Sequence, residues 1–391
     1  MRTIGVVTVG RSDYGIYRPV LRAIQQAEGL ALRLFVTGTH LEPSFGLTVR
    51  AIEVDGFPIA ERIPMGLGDD SPAGIAAAMG RGTLGFSQAY GRCRPDVLVL
   101  LGDRFEMHAA AVAAVPFAIP LAHLHGGELT NGAIDNAWRH AMTKMSHLHF
   151  VATEEARRRV LQMGEEPWRV VVSGAPGLDN LRTVKLLTLE EIAFSLGKPL
   201  KTAPLLVTYH PVTLEYEQAV WQIGELLAVL EVVDRPVVFT AANADTNGRV
   251  IRRAIEAFVA SRPSSVVVDA LGTQAYFSLM AHAAAMIGNS SSGLIEAPSF
   301  KLPVVNIGTR QAGRLRAENV IDVGYGREAI LQGIRRALAP ETRECLKNMV
   351  NPYGEGRAAD VMVDHLRGVV LDHRFIAKSF VDWPSEALVT P

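Results

Sequence analysis

The chain has 391 residues, too many for one ordinary hydrophobic core, so two domains are expected. Apolar residues make up 48% and charged residues 20%, the balance of a folded globular protein rather than a disordered one. Lys plus Arg is 39 against 40 for Asp plus Glu; near-neutrality excludes a general nucleic-acid or membrane-surface binder while leaving room for a local basic pocket.

Met1-Arg2-Thr3-Ile4 leads straight into a strand-like run with no cleavage site behind it, which argues against a signal peptide. Apolar runs at 4–10, 32–38, 96–102, 119–127, 148–153 and 169–177 are β-branched and nearly continuous, as in strands covered on both faces of a parallel sheet. Helix-period segments lie between them, at 17–26 and 136–145, giving the strand–helix alternation of a doubly wound α/β layer. The pattern pauses over 179–203 and resumes at 205–209, 236–240, 266–270, 284–288, 304–308 and 320–323. We therefore expect an α/β protein with two Rossmann-like domains facing a cleft, an N-terminal one over 1–178 carrying catalytic carboxylates and a C-terminal nucleotide-binding one over 179–365, with 366–391 as an arm packing back on the body. No apolar run approaches the roughly 20 residues that span a bilayer. Cys93 and Cys345 are far apart and lack metal-ligand spacing, so the expectation is a reduced, cytoplasmic protein with no metal and no cofactor.

In open α/β sheets the chemistry sits in the loops after the strands, and the polar residues of this chain gather there. After the first strand, Arg11 and Asp13 sit at a helix mouth suited to a phosphate, with Asp13 as a mere helix cap the bland alternative. After the run ending at Gly102, Asp103 is placed to act as base or to orient a neighbour, although Asp103 with Glu106 also has capping-box spacing. The next strand end carries His123, His125 and Glu128 around two glycines, then Asp135 and His140; a His-x-His metal site lacks a partner set, and Asp135 could cap its helix. His210 ends a strand of the second domain at a proline break, and Asn243 lies in an Asn/Asp-rich turn with a minor binding role. Ser290 and Ser291 end a strand and open a helix, with Glu296 one turn on as an acceptor for ribose hydroxyls. Walker and dinucleotide fingerprints are absent, which leaves a nucleoside diphosphate bound without a P-loop.

Nine strings occur in register: Arg11-Ser12-Asp13-Tyr14, Gly102-Asp103-Arg104-Phe105-Glu106, Gly126-Gly127-Glu128, Ala133-Ile134-Asp135, Arg139-His140, His210-Pro211-Val212-Thr213, Asn243 to Arg249, Gly288-Asn289-Ser290-Ser291-Ser292-Gly293 and Gly308-Thr309-Arg310-Gln311. Together they closely resemble the hydrolysing UDP-N-acetylglucosamine 2-epimerases of sialic-acid and related nonulosonic-acid biosynthesis, over about 3–365. The resemblance implies the two-domain glycosyltransferase-B fold, in agreement with the two tandem α/β layers read from the apolar runs. It also implies a two-step reaction: a base removes the C2 proton while UDP leaves C1, giving a 2-acetamidoglucal, and water then adds at C1 as a proton returns to C2 from the opposite face. UDP-N-acetylglucosamine would give N-acetylmannosamine and UDP. The alternatives are the same reaction on a 4-acetamido-6-deoxy sugar nucleotide, UDP- or GDP-linked, and a non-hydrolysing epimerase. By position, the resemblance assigns Asp103 and Asp135 to catalysis, His210 and Arg11 to the diphosphate, Ser290, Ser291 and Glu296 to the nucleotide, and Arg310 to the same shell. His125 departs from the pattern, since sialic-acid members commonly have Glu there. Proton transfer then falls to His125 itself, or to Glu128 or Asp103. A nucleotide-sugar substrate and a homodimer or higher homo-oligomer are the partners implied.

Overall fold

The computed structural model describes residues 1–131, 133–240, 248–268 and 271–382. In the first layer, strands β1 (Arg2–Thr8), β2 (Leu30–Thr37), β3 (Ile59–Ile63), β4 (Val97–Leu101), β5 (Leu121–Leu124), β6 (Leu148–Val151) and β7 (Val170–Val172) form one parallel sheet, in the order β3-β2-β1-β4-β5-β6-β7. In the second, β8 (Leu205–Thr208), β9 (Val237–Thr240), β10 (Ser265–Val268), β11 (Ala285–Gly288), β12 (Val304–Ile307) and β13 (Val320–Val323) pair in parallel as β10-β9-β8-β11-β12-β13. The expected pair of doubly wound layers is what the chain forms.

Continuous apolar runs become central strands because helices cover both faces; Val-Leu-Val-Leu-Leu of β4 is buried throughout. Strands stop earlier than the apolar runs suggest, since the chain turns out of the sheet at Gly102 (φ 75°) and Gly127 (φ 75°). The run pattern missed β3. Ile-Ala-Glu-Arg-Ile pairs only at the sheet edge, through an irregular register at Leu34/Phe35, and buries only its last residue, so it needs no unbroken apolar run.

Strand order reverses between β1 and β4 in one sheet and between β8 and β11 in the other. Loops leaving the carboxyl ends of those strands diverge to opposite faces and open a crevice there. The segment Pro176–Arg182 crosses between layers, and Asp179 within it accepts from the Ala358 and Ala359 N–H groups at 2.9 and 2.7 Å. It thereby caps helix Ala358–Gly368, which packs on helix Arg11–Gln26 and adds Met362, Val363 and Leu366 to the first core. The chain is thus back on the first layer ahead of residue 366, where the arm was expected to start, because the helix buries its apolar stripe there. Phe375 is buried in the same core, and Arg169 donates to the Phe375 and Arg374 carbonyls, both at 2.9 Å. Residues 383–391 of the expected arm lie outside the described residues. No described helix is long and apolar enough to cross a membrane.

Candidate active site

Helix Arg11–Gln26 starts directly behind β1, and Asp13 makes that possible. Its carboxylate accepts from the Gly10 N–H at 2.6 Å, the Val9 N–H at 3.0 Å and the Thr8 hydroxyl at 2.7 Å. Burial pushes this carboxyl up to about 7. Asp13 is occupied as a cap, the bland alternative for it, and Arg11 stands half-buried at the helix's first residue. Behind Asp13, Thr8 Oγ1 lies 2.9 Å from His40 Nε2, and His40 Nδ1 lies 2.8 Å from Thr48 Oγ1.

At the end of β4, helix Phe105–Ala114 has Arg104 as its N-cap, not Asp103. Asp103 instead forms an ion pair with Arg139, and Glu106 is buried with the Arg104 guanidinium 3.2 Å from both carboxylate oxygens. Asp135 is the first residue of helix Asp135–Met145; its buried charge is felt at Arg139 and Arg314.

The turn after β5 is the most constrained. His125 has φ 60°, uncommon for a residue with a side chain, and a Cβ at Gly127 would fall 2.2 Å from the Ala156 carbonyl oxygen. This reversal brings His125 Nδ1 to 2.5 Å from Glu128 Oε1. Glu128 Oε2 lies 3.2 Å from Arg314 Nη2, and Arg139 donates to the Glu128 carbonyl at 2.8 Å. Burial alone would raise the Glu128 carboxyl, but His125, Arg314 and Arg139 outweigh it and hold the group well below the usual carboxylate range. An ionised Glu128 only accepts, so the ring hydrogen belongs on Nδ1 and leaves Nε2 basic. His123 is different in kind. Its Nε2 lies 2.8 Å from the Gly102 carbonyl and its Nδ1 3.2 Å from Thr143 Oγ1, and burial draws it down to about 3. Among the described residues, no three His, Cys, Asp or Glu side chains are grouped to hold a metal ion.

In the second layer, Asn289 joins the two switch-point loops: its Oδ1 accepts from the His210 N–H at 2.7 Å and its Nδ2 donates to the His210 carbonyl at 2.8 Å. Gly288, at φ 133°, permits this, since a Cβ there would meet the Thr208 carbonyl oxygen at 2.0 Å. Arg310 and Gln311 donate to the Asn289 carbonyl at 3.2 and 2.7 Å. Ser290 and Ser291 precede a helix of only four residues, Ser292–Ile295. A single turn sums few peptide dipoles, so the helix start expected from sequence offers N–H groups and hydroxyls more than a macrodipole. Glu296 follows, and burial pushes its carboxyl up to about 7. Asn243 lies outside the described residues.

The two halves meet. Arg314 donates to the Leu129 carbonyl at 3.0 Å and the Asn131 N–H to Ala312 at 3.4 Å. Burial would raise the Asp103 carboxyl, yet Arg139, Arg314, Arg310 and Arg104 keep it below its usual range, two of these cations from each layer. Glu296, from the second layer, feels the charges of His125 and Glu128. Carboxylates and His125 from the first layer thus lie within electrostatic reach of guanidinium groups and Glu296 from the second.

Residues 22–367 match the UDP-N-acetylglucosamine 2-epimerase family. The chain belongs to that family. The UDP-N,N'-diacetylbacillosamine 2-epimerase (hydrolyzing) of Legionella pneumophila is 38% identical over 97% of this chain and 99% of its own length. The GDP/UDP-N,N'-diacetylbacillosamine 2-epimerase (hydrolyzing) of Campylobacter jejuni is 41% identical over 82% of this chain and 84% of its own. The solved Neisseria meningitidis UDP-GlcNAc 2-epimerase bound to UDP-GlcNAc has a TM-score of 0.78 at 19% identity, covering 94% of this chain and 99% of that one, so the glycosyltransferase-B fold is shared.

For this epimerase-family chain, site selection from sequence missed Arg139, Arg314, Asn289 and His40. Arg139 and Asn289 lie inside the family-like strings Arg139-His140 and Gly288 to Gly293, so their place in the motif was the signal that could have found them. Arg314, four residues past Arg310, is placed by the fold alone. His40 is a wholly buried neutral strut, drawn down to about 3 by burial, and carries no motif.

Proposed function

We propose that this protein is a hydrolysing 2-epimerase acting on a UDP-linked 2,4-diacetamido-6-deoxy sugar, UDP-N,N'-diacetylbacillosamine in first place. The observation that carries the chemistry is the His125–Glu128 pair, 2.5 Å apart, with Arg314 against Glu128 and Glu296 within reach of both charges. The sugar is supported by the Legionella and Campylobacter relatives, and this reading takes precedence over N-acetylglucosamine as the sugar.

In this reading, Arg11, His210, Arg310, Ser290 and Ser291 hold the diphosphate and Glu296 the ribose. His125 Nε2 takes the C2 proton as the C1–O bond to UDP breaks, giving a glycal, UDP and an imidazolium held by Glu128. Asp103 and Asp135 stabilise positive charge on the ring as the leaving group runs ahead. Water then adds its oxygen to C1 while the proton it gives up is matched by one delivered from solvent to C2 on the other face. The imidazolium loses its proton to solvent, so the sum is nucleotide sugar plus water to the C2-inverted free sugar, UDP and a proton.

The test is incubation of the purified protein with UDP-N,N'-diacetylbacillosamine, its GDP analogue and UDP-N-acetylglucosamine in deuterated water, followed by NMR. Free manno-configured diacetamido sugar with deuterium at C2 is expected, with kcat/KM at least about tenfold above that for UDP-N-acetylglucosamine. Epimerised sugar still linked to nucleotide would overturn the hydrolytic reading, and preference for UDP-N-acetylglucosamine would overturn the sugar.

A further inference from the structure

Arg314 belongs to the second layer, in the loop between β12 and β13, yet its side chain ends inside the first. It lies 3.2 Å from Glu128 Oε2 and donates to the Leu129 carbonyl at 3.0 Å, with only 8% of the side chain exposed. The loop carrying it is held at several points. Gln311 Nε2 donates to the Asn289 carbonyl at 2.7 Å, Arg316 Nη1 donates to the Arg314 carbonyl at 2.6 Å, and the Tyr353 hydroxyl donates to the Leu315 carbonyl at 2.9 Å. Gly313, at φ 83°, lets the loop press on the first layer, where a Cβ would come within 2.9 Å of Asn131 Nδ2 and Leu129 Cδ1. One contact path therefore runs from the Asn289 carbonyl, next to Ser290, through this loop and Arg314 to Glu128 and His125.

We propose that Arg314 is a positioning residue that acts through Glu128 on His125, so that the proton-transfer group of one lobe is set by the seating of the other. The inference rests on His125 being the base at C2. Glu128 has two carboxylate oxygens facing two partners, His125 at Oε1 and Arg314 at Oε2. Arg314 holds Oε2 by charge and not by a hydrogen bond, and a carboxylate drawn to it at Oε2 presents Oε1 to Nδ1, which sets the plane of the imidazole. Among the described residues, the charged or titratable groups around Glu128 are His125 on its own loop, Arg139 and Asp135 on helix Asp135–Met145, Asp103 after β4, Arg159, which donates to the Gly127 carbonyl at 3.2 Å, and Arg314, Glu296 and Tyr353. Arg139 hydrogen-bonds the Glu128 carbonyl and acts on its carboxylate only through charge, so among the described residues Arg314 is the cation within ion-pair distance of the carboxylate.

The experiment compares kcat, KM and the pH profile of kcat for Arg314→Gln, Arg314→Lys, Glu128→Gln and the Glu128→Gln/Arg314→Gln double variant, with UDP release as readout. For Arg314→Gln, kcat falls roughly 10–100-fold while KM stays within about threefold, the pattern of lost proton-transfer alignment. Its acid limb moves to higher pH, because Glu128 without the cation protonates more readily and then no longer fixes Nδ1–H. Arg314→Lys keeps the charge, so its acid limb stays in place and part of kcat returns. The double variant is no slower than Glu128→Gln alone, since both changes act through one carboxylate. Unmoved acid limbs with additive losses would overturn the inference and leave Arg314 a buried structural ion pair. If Arg314→Gln does not fold, Arg314→Lys against Glu128→Gln decides: a moved limb in the lysine variant overturns the inference. A wild-type protein that releases no UDP overturns the base reading and this inference together, whereas an active protein insensitive to Arg314 overturns only the inference.

Discussion

Arg139, wholly buried on helix Asp135–Met145, forms an ion pair with Asp103 at the carboxyl end of β4. The charges of Arg314, Arg310 and Arg104 also act on this carboxylate, so Asp103 stays ionised through the neutral range. In the proposed reaction it would therefore serve as fixed negative charge and not as a source of an acidic proton. Asp103→Asn keeps the volume and removes the charge, so turnover is expected to fall roughly 10²–10³-fold while UDP binding stays within about threefold. Stopped or steady-state UDP release and calorimetric UDP titration measure the two. A loss below about tenfold would reduce Asp103 to a counter-charge for Arg139.

His125→Ala tests the ring directly. Loss of turnover by roughly 10²–10⁴ is expected for a general base, with UDP affinity retained. The backbone at φ 60° disfavours Ala more than His or Asn, so His125→Asn, which tolerates that region, is the better-folded control. Wild-type turnover in either variant rules the imidazole out as the base.

Much of this was legible in the sequence because parallel strands buried on both faces need unbroken apolar runs, and loops after such strands collect polar residues. Those two facts place Asp103, His125, His210 and Ser290 at strand ends without any structure. Local spacing was less reliable. Asp103 and Glu106 had capping-box spacing, yet a buried guanidinium at Arg139 binds Asp103 more strongly than an exposed N–H would, and Arg104 takes the cap position. Asp13 went the other way, into the cap. What spacing cannot supply is pairing between layers: Arg314 meets Glu128 only because two sheets distant in sequence face each other.

Glu296 carries a pH signature. Its folded value of about 7 lies above the ordinary 4.5, and burial is the cause. The folded state thus binds this proton more tightly than the unfolded chain, and stability from this group is full below pH 4.5 and lost as pH rises through 7. Glu296→Gln removes that loss. Thermal melts are expected to show the variant more stable than the parent at pH 8, by about 1–3 kcal/mol, with the difference vanishing near pH 4.5. UDP binding is expected to weaken about tenfold, since a charged acceptor for ribose hydroxyls is gone. A variant less stable than the parent at pH 8 would contradict the burial argument.

Glu165 has the opposite sign. Lys144 Nζ lies 2.6 Å from its carboxylate, Lys378 Nζ 2.9 Å and His149 Nε2 3.1 Å, and Lys378 also donates to the Lys144 and Ser146 carbonyls at 2.7 and 2.8 Å. Burial would raise this carboxyl, but His149, Lys144 and Lys378 bring it down to about 2. Stability from Glu165 is therefore present above its ordinary 4.5 and lost as pH falls toward 2. Glu165→Gln leaves two ammonium groups without their shared counter-charge, which costs roughly 3 kcal/mol at pH 7. Denaturant unfolding at pH 7 and pH 3 is expected to show that gap shrink to about half or less, because at pH 3 the unfolded carboxyl is already protonated. The chain beyond Lys378 is also loosened, since the Val381 N–H donates to the Gly164 carbonyl at 2.9 Å and Phe380 lies over Gly164 and Lys144. Limited trypsin digestion should therefore cut after Lys378 in the variant faster than in the parent. A stability gap that stays constant between pH 7 and pH 3 would show that Glu165 acts by packing and not by charge.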